Sequence, residues 1–428
     1  MQRVLSFQMA RGLSESSEFV TKRMCFSLIF SVGFVALLCG FLLGRFTTQR
    51  AIDFRAEKRR LELAGNGLES TEYLQRFIFD QLERAPLDSD FETNWESLKE
   101  DDVHRVNGIL SNLSLIQKVD RHQSYVVATA KGSREPDRYV VLSASGESVG
   151  IALELAKIFN QIQRENRWKP RRSLVFCLFS GSSNPCIEKL SSFMPHRIVA
   201  YIVVHHQALQ GKGPLIVSGS DIAQSIVLES AGIVKGWLSY NNNQLLYLSK
   251  SIYNTSFSRL AVDIPHAIVT FMNDTVMYNE HQHERVSRKI LLAQILGQTI
   301  WRLSESLIIK WNPSYFNETA YTTLDWVNNG EDKENVQRSL DKLLNNVKTF
   351  NRKIDTVDSI NSLDTRILND VLLDLDRVLL CPDKEHRSKT DWSLFLKPSH
   401  DLLGSTYLSE VVKCYENAIQ LLQENIDL

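Results

Sequence analysis

The sequence lacks a charge bias, an internal repeat and several short motifs that mark enzymes. Lys and Arg number 49 against 50 Asp and Glu, so the formal net charge is −1. This balance gives no reason to expect nucleic acid as a partner, because nucleic-acid binding is dominated by neutralisation of phosphates. No phosphate-binding loop, GxGxxG or HExxH stretch occurs, which removes the common signatures of nucleotide-binding proteins and zinc proteases.

Charge is absent altogether from one stretch, residues 24–44. A helix of this length would be about 30 Å long, which matches the hydrocarbon core of a bilayer. A cleavable signal peptide has a shorter apolar stretch, and a buried core helix would show a polar stripe. We therefore predict a transmembrane signal-anchor helix, with the lipid bilayer as one partner of the chain.

The orientation of this helix is open from charge alone. Arg45, Arg50 and further basic residues crowd its C-terminal flank, which favours a cytoplasmic C-terminal part. Four N-x-S/T triplets lie on the same side, and glycosylation would instead place them in a lumen. The predicted glycosylation sites are Asn112, Asn254, Asn273 and Asn317.

Cysteine is scarce and forms neither a CxxC pair nor the spacing of a zinc site. Outside the apolar run the chain has Cys177, Cys186, Cys381 and Cys414. These four thiols would form no disulfide, one or two. Cys177 lies within an apolar run, and we predict that it is an inert core residue.

Short apolar runs rich in β-branched residues begin near residue 124 and alternate with helical periodicity. Strands that are apolar throughout are typical of a covered, mostly parallel sheet, and after residue 284 only helical spacing continues. The predicted fold is α/β, with a mostly parallel sheet, flanking helices and a C-terminal helical bundle. The predicted divisions are a cytoplasmic tail at 1–23, the membrane helix at 24–44, a stalk with opening helices at 45–122, the α/β domain at 123–285 and the helical domain at 286–428.

Five stretches carry a recognisable pattern. Residues 131–144 read KGSREPDRYVVLSA and residues 168–179 read WKPRRSLVFCLF. Residues 199–204 (VAYIVV), 368–382 (LNDVLLDLDRVLLCP) and 398–407 (PSHDLLGSTY) follow in order. Together they resemble the transferrin receptor and glutamate carboxypeptidase II family. The resemblance implies an aminopeptidase-like sheet, a helical domain that forms dimers, and a type II membrane protein whose C-terminal part is lumenal or extracellular.

The resemblance also implies two zinc ions, held by a His-x-Asp loop, a bridging Asp, a Glu-Glu pair, a further Asp and a late His. The first strand passes directly into Ser145 and Gly146, without that loop. Ser182 and Ser183 stand in place of the Glu-Glu pair, and His205 stands in place of the further Asp. Because two dications so close need a bridging anion, we predict no zinc cofactor and no catalytic residue.

Three histidines are the weak candidates for a metal site. His205, His206 and His281 would supply imidazole ligands, with Glu147 or Cys186 beside the first two. A histidine pair at a strand end is more often hydrogen-bonded or solvated than metal-bound.

The predicted function is that of a non-catalytic, single-pass membrane glycoprotein, receptor-like or scaffold-like, with a degenerate metallopeptidase fold. The alternative is a residual zinc-dependent carboxypeptidase or dipeptidase with non-standard ligands. The family's apical domain has no counterpart, and its Arg-Gly-Asp ligand contact is replaced by residues 346–352 (NVKTFNR). The expected partners are a second copy, paired through the helical domain, and an unidentified protein ligand at the plasma membrane or an internal membrane.

Overall fold

A computed structural model places the chain in two units, Met1–Arg60 and Leu61–Leu428. The structure describes residues 26–50, 71–85, 100–179, 184–193, 195–204, 208–209, 215–237, 264–271, 282–324, 330–356, 362–379 and 405–426. In the first unit, helix α1 runs from Phe26 to Arg50. By length and composition it could cross a membrane, as a signal sequence near an N-terminus also could. The predicted N-terminal apolar helix is confirmed, and it continues past the apolar run into the basic flank.

The second unit is built on a sheet of seven strands. They are β1 Lys118–Arg121, β2 Tyr125–Ala130, β3 Glu135–Ser145, β4 Arg172–Phe179, β5 Ile198–Val204, β6 Leu215–Gly219 and β7 His266–Phe271. Their order is β1-β2-β4-β3-β5-β7-β6. The four central strands β4, β3, β5 and β7 are parallel, and the antiparallel strands lie toward the edges. The predicted α/β fold class is confirmed.

Ten helices of the second unit fall within the described ranges. They are α2 Thr71–Arg84, α3 Glu100–Ser111, α4 Ser148–Asn166, α5 Pro185–Phe193, α6 Asp221–Trp237, α7 Gln282–Glu305, α8 Ser314–Leu324, α9 Gly330–Thr356, α10 Ser362–Leu379 and α11 Ser405–Ile426. Alternation along the strands divides the apolar side chains between two cores. Val140 and Leu142 face the larger core, which most of the helices cover, whereas Val141 and Tyr201 face a smaller core that α5 covers.

Helix α7 packs beside the sheet, against α2, α4 and α6. Gly297 allows the close approach of α2, because a Cβ at this position would lie 2.8 Å from Cγ2 of Ile78 and 3.0 Å from Cδ1 of Leu82. The helix predicted to start the C-terminal bundle therefore shares the core of the sheet. Beyond it, α9 packs along α11, and α10 and α8 complete the helical part.

Two of the stretches that carry the family resemblance lie side by side. The amide of Ser133 donates to the carbonyl of Pro170 at 2.7 Å, and the amide of Glu135 donates to the carbonyl of Arg171 at 2.9 Å. Gly132 has to be small, because a Cβ there would lie 2.7 Å from the same Arg171 oxygen. The G-x-x-E and P-R-R segments are therefore paired through their backbones.

The side chains of these two segments form a buried ion cluster. Nε of Arg171 lies 2.6 Å from Oε1 of Glu135, and Nε of Arg172 lies 3.0 Å from Oε2. The three residues are 5% exposed or less. One carboxylate faces two guanidinium groups, so further acceptors are needed to offset the cost of removing both cations from water.

Those acceptors come from the end of α7. Nη1 of Arg172 donates to the carbonyl oxygens of Leu303 and Ser306 at 2.8 Å each, which are groups that a helix end leaves without partners. A carboxylate oxygen of Glu305 accepts the amide of Arg171 at 2.9 Å. Burial raises the pKa of Glu305 to about 7. The cluster thus joins β3, β4 and α7.

Helix α10 contains the L-N-D motif, and its polar side chains bond to the sheet and to the segments beside it. Asn369 accepts the amide of Ile309 at 3.0 Å, and Asp370 pairs with Arg138 of β3. The buried carboxylate of Asp376 accepts the hydroxyl of Ser220 at 2.6 Å. Asp376 also accepts the amide of Ile222 at 2.9 Å, so it caps the start of α6. Burial raises the pKa of Asp376 to about 6.

The Glu135 cluster predicts a large effect of a small change. Glu135→Gln keeps the shape but removes the anion that pairs with both guanidinium groups, so Glu305 is the carboxylate that remains beside them. We expect the free energy of unfolding to fall by about 3–5 kcal/mol, measured by urea denaturation of the full-length protein. Asp80→Asn is the control, because its pair with Arg76 is about half exposed and should cost less than about 1 kcal/mol. Equal losses in the two variants would contradict the role of the cluster.

Candidate functional site

The carboxyl ends of the parallel strands meet at one edge of the sheet. Ser145 pairs with Phe179, and Ala144 pairs with Val204, so β3, β4 and β5 end at the same level. Open α/β sheets bind their ligands outside this edge. The family resemblance also places its zinc-binding loops after these strands.

The site residues predicted from the sequence fall outside the described residues. This applies to Ser182, Ser183, His205, His206 and His281. Their roles stay predictions. Other residues of the same edge are described.

The connection from β3 to α4 is very short. The strand ends at Ser145 and the helix begins at Ser148, so only Gly146 and Glu147 lie between them. Gly146 takes a φ of 60°, a left-handed conformation that glycine adopts without strain. A strand that turns into a helix over two residues has no loop in which a His-x-Asp segment could be held. The sequence prediction of a missing loop agrees with this geometry.

A further sequence motif lies in the same connection. Residues 146–150 read Gly-Glu-Ser-Val-Gly, which matches the G-x-S-x-G signature of serine hydrolases. In that signature a strained turn exposes the serine oxygen. Here Ser148 is 1% exposed, and the positive φ belongs to Gly146 instead. The geometry therefore does not present Ser148 as a nucleophile.

A neutral hydrogen-bond network occupies the described part of the edge. Nδ2 of Asn184 donates to the hydroxyl of Ser143 at 2.8 Å, and Oδ1 of Asn184 accepts the phenol of Tyr201 at 3.1 Å. Oδ1 also accepts the amide of Cys186 at 3.2 Å, which caps α5. Burial raises the pKa of Tyr201 above its usual range, so the phenol stays neutral. In the sequence, Asn184 directly precedes Pro185. Asn as the cap and Pro at the first helical position are a common pattern at the start of a helix.

A disulfide joins Cys177 of β4 to Cys186 of α5. The prediction that Cys177 is an inert core thiol is wrong: the residue is fully buried, but it is oxidised. The apolar context of Cys177 gave no sign of this, because the pairing depends on α5 folding back over the strand. Cys414 is disulfide-bonded as well, and Cys381 lies outside the described residues.

The described residues of this edge do not suit a pair of zinc ions. Zinc is held by imidazole, thiolate and carboxylate ligands, whereas Ser143, Ser145 and Asn184 offer neutral oxygens and nitrogen. Glu147 is the one carboxylate in the connection from β3 to α4. Cys186, a candidate ligand from the sequence, has no free thiolate because it is disulfide-bonded. Within the described ranges no group of three or more His, Cys, Asp or Glu side chains could hold a metal ion.

Two of the four predicted glycosylation sites lie in described residues. Asn112 is exposed and follows the end of α3. Asn317 lies within α8, and its Oδ1 is buried without a hydrogen-bond partner. An acceptor asparagine has to be reachable from solvent, so the geometry favours Asn112. Asn254 and Asn273 fall outside the described residues.

Comparison with known proteins gives distant relatives. The chain is 23% identical over 347 residues to aminopeptidase NAALADL1 of Mus musculus, covering 64% of this chain and 46% of the relative. It is 23% identical over 368 residues to the probable glutamate carboxypeptidase LAMP1 of Arabidopsis thaliana, covering 73% and 52%. Transferrin receptor protein 1 of Gallus gallus matches at 27% over 176 residues, covering 37% and 21%. The chain is a distant homologue of the transferrin receptor and glutamate carboxypeptidase II family.

The chain spans about half the length of the mouse and plant relatives. No protein-family model matches it. Among solved structures, the LapA aminopeptidase of Legionella pneumophila has a TM-score of 0.37 and 11% identity, covering 57% of this chain and 76% of that one. Kinship with the family therefore rests on the sequence relatives and on the ordered motifs.

The disulfide predicts a measurable contribution to stability. Replacing both cysteines, Cys177→Ala with Cys186→Ala, should lower the free energy of unfolding by about 3 kcal/mol, because the unfolded chain regains the freedom of a short closed loop. Thermal or urea unfolding of the full-length protein measures this loss. Cys39→Ser is the matched control, since Cys39 is a free, exposed cysteine of α1. A wild-type protein that is unaffected by reduction, and equal in stability to the double variant, would contradict the disulfide.

Proposed function

We propose that the protein is a non-catalytic, receptor-like or scaffold-like relative of the zinc peptidases. The observation that carries this proposal is the two-residue connection between Ser145 and Ser148, at the position where the family resemblance implies a metal-binding loop. The Asn184 network supports it, because Asn184, Ser143 and Tyr201 are neutral and paired with one another. The Cys177–Cys186 disulfide supports it as well, because it leaves no thiolate at Cys186.

The disulfide also supports a location for the C-terminal part. Disulfides form and persist in oxidising compartments and are rare in the cytosol. A buried disulfide at Cys177 therefore favours a lumenal or extracellular second unit, as in a single-pass type II membrane protein, despite the basic residues at the C-terminal end of α1 and beyond it. Exposure of Asn112 is consistent with glycosylation on that side.

A zinc-dependent peptidase is the second candidate, and the names of the mouse and plant relatives favour it. We expect purified full-length protein to contain far less than one equivalent of zinc and to show no chelator-sensitive cleavage of aminoacyl anilides or of dipeptides ending in glutamate. Metal analysis by mass spectrometry and an exopeptidase assay measure this. The variant His205→Ala with His206→Ala should match the wild type in both. Two zinc equivalents with chelator-sensitive activity would overturn the non-catalytic proposal.

We also propose that two copies pair through the helical part. Outside α1, three large apolar side chains of the described chain are strongly exposed, and two of them, Leu363 and Ile367, lie one turn apart on α10. They are 64% and 40% exposed, and a neighbouring copy would cover them. The third is Tyr73 of α2.

Leu363→Glu with Ile367→Glu should weaken this association by about 100-fold, because it places two charges in an apolar contact. Light scattering of the full-length protein in detergent, across micromolar concentrations, measures it. Tyr73→Glu is the matched control and should leave the dimer intact. A wild-type protein that is monomeric throughout this range would refute the dimer.

A further inference from the structure

Cys414 of α11 is disulfide-bonded. The chain has six cysteines, and three of the other five are accounted for, because two of them form the first disulfide and one is free. These three are Cys177, Cys186 and Cys39. The cysteines that remain as partners are Cys25 and Cys381, which lie outside the described residues. The order of the chain and the packing of the helices decide between them.

Cys25 lies at the N-terminal end of α1. It directly precedes Phe26, where α1 begins, whereas α11 follows the other end of α1 in the chain. A helix that spans a bilayer separates its two flanks by a hydrocarbon core of about 30 Å, and the Cα atoms of a disulfide are at most about 7 Å apart. Cys25 is therefore excluded when α1 spans a membrane, and this step rests on the single-pass anchor of the proposed function.

Cys381 belongs to a segment that begins beside α11. Helix α10 ends at Leu379, so Leu380 alone separates it from Cys381. Two residues of chain span at most about 7 Å. Because α10 packs against α11, the chain leaves α10 close to the helix that contains Cys414. Cys381 is therefore the partner that the chain connection favours.

The end of α10 and the middle of α11 share one buried core. Leu375 and Leu379 of α10 are 3% exposed or less, and Val411 and Tyr415 of α11 are 1% exposed or less. All four belong to the same apolar cluster. Cys414 is itself buried, so a bond within the chain suits it better than a bond to a second copy.

We propose that Cys414 is bonded to Cys381 and that this disulfide fastens α11 to the end of α10. Formation of the bond removes two electrons and two protons from the two thiols, and the disulfide of a thiol oxidoreductase accepts them and becomes a dithiol. That exchange belongs to oxidising compartments, where the proposed function places the second unit. Helix α9 packs along α11, so the bond holds three helices of the helical part together.

The loop that this bond closes is longer than the loop of the first disulfide, whose cysteines have a sequence separation of 9. A cross-link restricts the unfolded chain more as the closed loop grows. We expect Cys381→Ala with Cys414→Ala to lower the unfolding temperature of the full-length protein in detergent by about 5–10 °C. Cys25→Ala is the matched control and should leave this temperature unchanged.

Peptide mapping of the full-length wild-type protein tests the pairing directly. The protein is made in a secretory host, its free thiols are blocked with N-ethylmaleimide during denaturation without reductant, and it is digested with trypsin. Cleavage after Lys and Arg places the relevant cysteines in separate peptides. They are residues 378–384 with Cys381, residues 414–428 with Cys414 and residues 24–45 with Cys25. We expect mass spectrometry to find 378–384 linked to 414–428, and reduction to separate them.

Three results would overturn the pairing. They are blocked thiols at Cys381 and Cys414, a link between two copies of 414–428, and a link of 414–428 to 24–45. The last would also refute a membrane-spanning α1, whereas the first two leave the proposed function intact. Equal unfolding temperatures in the double variant and in Cys25→Ala would contradict the stabilising role of the bond. The peptide map needs no variant, so it decides the pairing even when the double variant does not fold.

Discussion

The fold depends on a single buried carboxylate, that of Glu135, which lies between two buried guanidinium groups. Two cations and one anion out of water are stable only if every remaining donor finds an acceptor. Arg172 meets that condition by donating to the carbonyl oxygens at the end of α7, and Glu305 at the same helix end accepts the amide of Arg171. The cluster therefore links the end of α7 to the sheet, and α7 packs against α2, α4 and α6.

The stretches on which the family resemblance is based contain the residues of this cluster. The G-x-x-E and P-R-R segments meet at the Glu135 cluster, and the L-N-D motif places Asn369 and Asp370 against the connection after α7 and against β3. These side chains hold helices and strands together. None of them lies among the described residues at the carboxyl edge of the sheet. A resemblance based on such motifs indicates a shared fold and does not by itself indicate a shared catalytic activity.

Much of the scaffold was predictable because its signals are local. Continuous apolar runs marked β4 and β5, and helical spacing after residue 284 marked the C-terminal helices. The contacts between distant segments were not predictable in the same way. The pairing of Cys177 with Cys186 needs the knowledge that α5 returns over the sheet. The packing of α7 beside the sheet involves the distant helix α2, whose Ile78 and Leu82 lie against Gly297. The short helix α8 has too little apolar periodicity to be recognised.

The carboxyl edge and the α7 end show two different uses of buried polar groups. At the edge, Asn184 satisfies Ser143, Tyr201 and the start of α5 through neutral groups. At the end of α7, Arg172 and Glu305 make the polar contacts, and their partners are backbone groups of other segments. The neutral network holds the strand ends and the start of α5 together, whereas the ion cluster holds the end of a helix against the sheet. Both arrangements join segments that are far apart in the sequence, so the loss of one buried partner at either place leaves other buried groups unpaired.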